Sequence, residues 1–312
     1  MKAIRCKDHK ACLTHVDAPS GEGVRVKVAA AGICGSDLHM LAMGFPIPFT
    51  LGHEIAGTTP NGTPVAIEPL AYCGHCEYCA RGDYNLCTRG SQMVIGVGID
   101  GGMAEELIVP EHCLVPLPAS VSVKDACLVE PLSVAVHGIA MVHLSHRDRV
   151  AVIGGGTIGL CAVAIARLAT PEVYLGARHA AQKAAGEQLG GKLNFGGDYD
   201  VVIDCAGTAE SIAQAVSLCK PGATLLLLAT YWGGLTLPAF EVTMKQLRIV
   251  TSSSQARSGL TRDVDIAASA LAKNPAIART LITHRFPLDA VEEAFAMANN
   301  RAAGAIKVTF NP

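Results

Sequence analysis

Up to about residue 130, apolar and polar positions alternate in short runs interrupted by Gly and Pro: 24–30 (VRVKVAA), 64–67 (PVAI), 104–109 (AEELIV) and 113–117 (CLVPL). A period of two with turn residues between the runs predicts short β-strands, and their irregular spacing predicts a barrel-like β domain. Beyond residue 145 the texture changes. Apolar runs at 149–153, 173–177, 199–204, 223–229 and 248–252 alternate with Ala-rich stretches of helical length at 157–169, 180–189 and 209–219. Strand, turn and helix in that repeat predict a parallel sheet covered by helices on both faces. The last forty residues change again, with a strand over 282–287, an Ala/Glu-rich helix over 289–299 and a strand over 306–310. The expectation is an α/β chain of two domains, one spanning 1–132 and completed by 275–312, the other spanning 133–274.

Composition narrows the function. Half of the 312 residues are apolar and 17 % are charged, too little charge for a disordered chain. Lys and Arg number 25 against 27 Asp and Glu, so no sequence-wide field draws in nucleic acid or an anionic membrane. Residues 1–10 lack the apolar core of a secretion signal, and the most apolar stretches, around 159–165 and 223–230, fall short of the ~20 residues that cross a bilayer. The expected location is the cytoplasm, with neither membrane nor nucleic acid as a partner. Twelve cysteines in such a chain read as reduced thiols or metal ligands rather than as a disulfide framework.

Four of them, Cys73, Cys76, Cys79 and Cys87, stand as C-x2-C-x2-C-x7-C. Soft thiolates in so compact a loop suit a closed, tetrahedral zinc site of the structural kind. A bacterial iron–sulfur run would end in a three-residue gap followed by Pro, whereas this one ends in seven residues followed by Thr88. A closed site leaves no place for a substrate, so catalysis is expected elsewhere.

A second set offers mixed donors. Cys34 lies between glycines in 32–39 (GICGSDLH), and His53 and Glu54 follow in 52–57 (GHEIAG). One thiolate, one imidazole and one carboxylate make a three-ligand zinc site with a position left for water or a substrate oxygen. Glu130 is a further oxygen donor, reaching the metal directly or through its water. Asp37 is placed to accept a hydrogen bond from the other ring nitrogen of His53, and His39 is placed as a proton conduit. Singly, Cys34 reads as a small buried residue and His53–Glu54 as a surface pair; their company with the thiolate cluster favours a metal.

The run 150–153 (VAVI) enters Gly154-Gly155-Gly156-Thr157-Ile158-Gly159, a G-x-G-x-x-G between a strand and a helix. Gly154 suits a tight turn, Gly156 the approach of a pyrophosphate to the backbone, and Gly159 close packing of helix on strand. After the next strand, where an acid usually holds the ribose of NAD, the chain has Ala177, Arg178 and His179. Either Ala177 or Arg178 takes the acidic position. Arg178 offers a planar fork to a 2′-phosphate, with His179 and Lys183 as helpers, so NADP(H) is favoured over NAD(H).

These stretches, with 73–87 (CGHCEYCARGDYNLC), 129–137 (VEPLSVAVH) and 152–159 (VIGGGTIG), together resemble the zinc-dependent medium-chain dehydrogenase/reductase family of alcohol, polyol and threonine dehydrogenases. The resemblance implies a GroES-like β-barrel catalytic domain built from both ends of the chain, a Rossmann doubly wound parallel-sheet domain between them, and an active site in the cleft. It further implies one catalytic and one structural zinc per subunit in a homodimer or homotetramer. The implied reaction is reversible hydride transfer between an alcohol or polyol and its ketone or aldehyde. In it, Cys34, His53 and Glu54 or Glu130 hold the catalytic metal, Ser36 passes the proton and His39 moves it toward solvent. The stretches 65–69 (VAIEP) and 130–132 (EPL) look most like the polyol branch, whose NAD-dependent, sorbitol-like or threonine-like members are the alternative. The connections at 57–65 and 191–200 are shorter than the family pattern.

Overall fold

The computed structural model describes residues 1–312 and divides them into two compact units, Met1–Glu130 with Gly259–Pro312, and Pro131–Ser258. The chain therefore returns to the first unit at 259, where the sequence placed the return at 275. The helix that follows has the same Ala-rich composition as the crossover helices, so only its packing assigns it. It contacts the strand Leu114–Pro116, and Arg262 just before it hydrogen-bonds His112 and Leu114 carbonyls.

The first unit opens with an antiparallel hairpin, β1 (Lys2–Lys7) and β2 (Lys10–His15). Asp8 and His9 turn it with φ of 50° and 61°, the left-handed conformation of a two-residue hairpin turn. β3 (Val24–Gly32) is the spine of a seven-stranded sheet. After it come α1 (Gly35–Ala42), β4 (Glu54–Thr58), β5 (Pro64–Ile67), α2 (Glu77–Arg81), β6 (Glu106–Val109) and β7 (Leu114–Pro116). β3 pairs antiparallel with β4 along most of its length and with β6 at its start. The register sets Gly32 opposite Glu54, so the end of one strand and the beginning of the next bring the segment around Cys34 to His53 and Glu54.

α3 (Val129–Val142) carries the chain into the second unit. There β8 (Val150–Ile153), α4 (Thr157–Ala166), β9 (Val173–Gly176), α5 (Ala180–Gln188), β10 (Tyr199–Asp204), α6 (Ala209–Leu218), β11 (Cys219–Leu227), α7 (Ala239–Met244) and β12 (Arg248–Thr251) follow in order. The five strands form one parallel sheet in the order β12-β11-β10-β8-β9. A doubly wound sheet would carry one more strand beyond β9. The short 191–200 connection reduces it to a single bridge between Tyr174 and Lys192. β8 is buried at all four positions, as a strand covered on both faces must be. Val202, Ile212, Val216 and Leu225 pack with it in one apolar core.

The hairpin of β13 (Arg257–Ser258) and β14 (Thr261–Arg262) leads back to α8 (Asp263–Lys273), α9 (Ala276–Leu281), β15 (Ile282–Phe286), α10 (Val291–Asn299) and β16 (Lys307–Phe310). β16 pairs parallel with β15 and antiparallel with β3, which places the final strand beside the segment that carries Cys34. No helix is long and apolar enough to cross a membrane.

Candidate active site

Cys34 is the N-cap of α1, in extended conformation, and Asp37 reaches back to accept its backbone N–H at 2.9 Å. A short polar side chain at the third helical position thus fixes the residue that begins the helix. His53 and Glu54 stand at the start of β4, both buried. One donor atom from each of Cys34, His53 and Glu54 lies within 4.8 Å of the other two. The carboxylate fits because residue 32 has no side chain: a Cβ there would sit 2.0 Å from Glu54 Oε2.

Charge in this pocket is balanced by a residue that the sequence reading did not single out. Lys307, on β16, is 2 % exposed; its Nζ donates to Glu54 Oε1 at 2.6 Å and to the Ile33 carbonyl at 2.9 Å. Burial works against its charge, but Glu54 and Cys34 more than offset that and raise its pKa. Asp37 Oδ1 faces His53 Nδ1 at 3.7 Å, the expected pairing at more than hydrogen-bond length. Burial opposes protonation of His53, yet Cys34, Asp37 and Glu130 hold its pKa well above the ordinary value. Glu130 is buried in the first turn of α3. Burial pushes its carboxyl up to about 7 against the pull of His53, and Glu54 adds to the rise. It is not one of the three converging donors.

Asp37 Oδ1, His53 Nδ1 and Glu54 Oε2 are buried without a hydrogen-bond partner. Orphaned polar atoms cost about 1–3 kcal/mol each; Asp37 Oδ1 and His53 Nδ1 face each other, whereas Glu54 Oε2 is left open in a pocket lined by thiol, imidazole and carboxylate, as a cation site requires. Sulfur, nitrogen and oxygen donors together suit zinc. Ser36 Oγ lies 3.4 Å from His53 Nε2. His39 is exposed, with Nδ1 held on the Gly35 carbonyl at 2.8 Å. Of the apolar residues nearby, Met40 is in the core while Met43 and Phe45 are exposed.

The second cluster also converges. Cys76 Sγ and Cys73 Sγ lie 3.4 and 3.8 Å from Cys79 Sγ, and the sulfur of Cys87 accepts the backbone N–H of Cys73 at 3.4 Å. Four sulfurs at the zinc distance of 2.3 Å in a tetrahedron would be about 3.8 Å apart. The Cys79 and Thr88 backbones pull the Cys76 thiol down to about 5, while burial pushes Cys79 up to about 12, with Cys76 and its other sulfur neighbours adding to the rise. Four negative charges cannot gather there without a cation.

In the second unit Gly154 takes φ +108°, which disfavours any side chain. Gly156 caps α4 in extended conformation, so Thr157 and Ile158 form its first turn. The positive end of a helix at such a turn suits a phosphate. A Cβ on Gly159 would lie 1.7 Å from the Gly154 carbonyl, and one on Gly155 would lie 2.7 Å from the Cβ atoms of Ala177 and Gln182. Gly155 is thus as constrained as the motif glycines, although the motif leaves its position open. Gly159→Ala is expected to weaken coenzyme binding about tenfold or more by opening this turn, read by fluorescence titration with NADPH and NADH, with metal content unchanged. Beyond β9, Ala177 is half-buried, Arg178 exposed and Lys183 exposed on α5. His179 caps α5, with Gln182 Oε1 accepting its backbone N–H at 3.4 Å.

Residues 20–119 match the alcohol dehydrogenase GroES-like domain family, and residues 157–270 match the zinc-binding dehydrogenase family. The chain is 30% identical to a sorbitol dehydrogenase of Halalkalibacterium halodurans over 94% of its own length and 93% of the relative's. It superposes on a zinc-binding dehydrogenase of Sinorhizobium meliloti 1021 bound to NADP with TM-score 0.87 and 30% identity, covering 100% of this chain and 99% of that one. A protein of Escherichia coli CFT073, described as a short chain alcohol dehydrogenase complexed with NADH, gives TM-score 0.87 and 27% identity, with the same coverage of 100% and 99%. A cation pocket in a GroES-like unit, a glycine turn in a Rossmann unit and these matches along the whole length lead to one assignment: the chain belongs to the zinc-dependent medium-chain alcohol and polyol dehydrogenase family.

Proposed function

We propose that this chain catalyses reversible hydride transfer between a polyol or related secondary alcohol and its ketone, with NADP(H) preferred to NAD(H). The observation that carries the reaction class is the convergence of Cys34, His53 and Glu54 around orphaned buried atoms. When bound, zinc supplies Lewis-acid polarisation of a substrate oxygen, and the nicotinamide coenzyme supplies the hydride chemistry. Cys34, His53 and Glu54 would hold the metal, with Glu130 as a nearby carboxylate that does not join the trio. Ser36, 3.4 Å from His53 Nε2, takes the proton of the substrate hydroxyl. His39, one turn along α1 from Ser36 and exposed, moves it to solvent. Cys73, Cys76, Cys79 and Cys87 hold a second zinc that stabilises their loop. The twelve cysteines, none joined in a disulfide, support a reducing, cytoplasmic setting.

The polyol branch is supported by the sorbitol dehydrogenase relative and by the VAIEP and EPL stretches. The coenzyme preference rests on Arg178, which stands exposed after β9 where an acid would repel a 2′-phosphate. A charge-assisted contact there is worth about 1.5–3 kcal/mol. Arg178→Asp is expected to lower the NADPH-to-NADH ratio of kcat/KM by about 10- to 150-fold; an unchanged ratio would remove the assignment. One observation favours the NAD-dependent reading: Glu210, at the start of α6, is held below the usual carboxylate range by its backbone, Thr208 and Arg178, so a 2′-phosphate would share Arg178 with an acid. Steady-state assays of zinc-loaded protein with polyols, ketones and both coenzymes decide the matter. Turnover of a polyol–ketone pair with NADP(H) favoured is the expected result, and no turnover with two zincs bound would overturn the reading.

A further inference from the structure

The catalytic unit holds another buried charge that the reaction does not use. Glu68, just after β5, is completely buried. Its Oε1 accepts a 2.6 Å hydrogen bond from the Tyr84 hydroxyl, and its Oε2 faces Arg262 Nη1 at 3.4 Å. Arg262 is saturated. Nη1 also donates to the His112 carbonyl at 2.9 Å, Nη2 donates to the Leu114 carbonyl at 3.2 Å and to Asp265 Oδ1 at 2.9 Å, and Nε donates to Asp265 Oδ2 at 3.0 Å. Five N–H donors in a rigid fork are thereby spent on Asp265, one turn along α8, and on two segments distant in sequence, at Glu68 and at His112–Leu114.

Tyr84 belongs to the thiolate loop. Its carbonyl accepts the N–H of Cys87 at 3.0 Å, and its buried ring stacks on Tyr72 at 4.3 Å between centroids. Tyr72 immediately precedes Cys73 and lies 4.3 Å from the His112 ring. The two tyrosines therefore bracket Cys73, Cys76 and Cys79, with Cys87 tied to Tyr84 just beyond, and fold back onto the unit. The loop's own helix, α2, has no buried residue, so the loop brings little core of its own. Burial pushes the Glu68 carboxyl up to about 7 against the opposing pull of Tyr84 and Arg262. Above that pH a carboxylate is held inside the protein by the tyrosine hydroxyl and the guanidinium.

We infer that Tyr84, Glu68 and Arg262 form a latch that couples metal retention in the Cys73–Cys87 loop to the segment at which the chain re-enters the catalytic unit, Gly259–Arg262. This rests on the reading that the loop binds a metal. The loop, closed around an ion, presents the Tyr84 hydroxyl to Glu68; Glu68 in turn completes the partners of Arg262. Coupling between two such events is reciprocal, so whatever the metal contributes to the latch, the latch returns to the metal.

The test uses the full chain loaded with Co2+, whose sulfur-to-metal charge-transfer bands report the four-thiolate site, challenged with EDTA at pH 8.5. Tyr84→Phe keeps the stacked ring and removes only the hydroxyl; Glu68→Gln removes only the charge. Each is expected to speed cobalt loss from the loop by about 5- to 50-fold. The double variant is expected to be no faster than the faster single one, because both break the same contact. Hydrogen exchange at 259–262 should rise in Tyr84→Phe. Cobalt loss at the parental rate in Tyr84→Phe, or effects that multiply in the double variant, overturns the latch. A parental chain without four-sulfur bands overturns the metal reading itself and the latch with it.

Discussion

Cys34→Ser leaves a purified chain with one zinc instead of two, and kcat/KM for the alcohol falls by at least three orders of magnitude while NADPH and NADH still bind. The reasoning is local. Cys34 is the only sulfur among the three converging donors, and its backbone position is fixed by the Asp37 cap at 2.9 Å. Replacing the thiolate by a hydroxyl therefore removes a ligand without moving the helix. Lewis-acid stabilisation of several kcal/mol disappears with the ion, and each ~1.4 kcal/mol is a factor of ten in rate. The glycine turn lies in the other unit, so coenzyme affinity is the internal control. Metal analysis and fluorescence titration on the same preparation check both halves. Retention of two zincs with near-parental turnover would show that the mixed-donor set is not the catalytic one.

Lys307→Met destabilises the catalytic unit by about 3–5 kcal/mol, the cost of leaving a buried charge without its partner. Glu54 loses the 2.6 Å donor on Oε1, the Ile33 carbonyl loses its 2.9 Å donor, and Oε2 already has no hydrogen bond. Lys307→Arg keeps the charge and should recover part of the loss; full recovery is not expected, because the longer, planar fork must fit a site 2 % exposed. Denaturant unfolding of zinc-free protein isolates the pair from the metal. If Lys307→Met unfolds at the parental midpoint, the ion pair contributes nothing to the fold.

How much of this was written in the chain depends on sequence distance. The thiolate loop is legible because its four sulfurs sit within one short segment, and the coenzyme turn because its glycines fall between an apolar strand and an Ala-rich helix. Cys34, His53 and Glu54 could be read because each lies in a local glycine-flanked motif; β3–β4 pairing then does the work of joining them. Lys307 escaped because nothing near it hints at Glu54. Its one local sign is a cation inside an apolar run, AIKVTF. Glu68 and Arg262 escaped for the same reason, being 194 residues apart. The opening hairpin was hidden by the Lys, Arg and Cys mixed into its alternation, and α1 by the chemistry of its first residues. The re-entry point at 259 could not be told from a crossover helix by composition.

The bond between Lys307 and Glu54 spans 253 residues, and that span has a temporal meaning during synthesis. At about 5–20 residues per second, a ribosome needs roughly 13–50 s to reach the lysine after making the glutamate. Throughout that interval the nascent first unit carries an acidic pocket without its counterion, while the Rossmann unit emerges between the two. The mixed-donor pocket is therefore completed only when β16 is made, and a chain stalled in translation before it holds Cys34, His53 and Glu54 without the lysine partner, open to whichever ion the cell offers first.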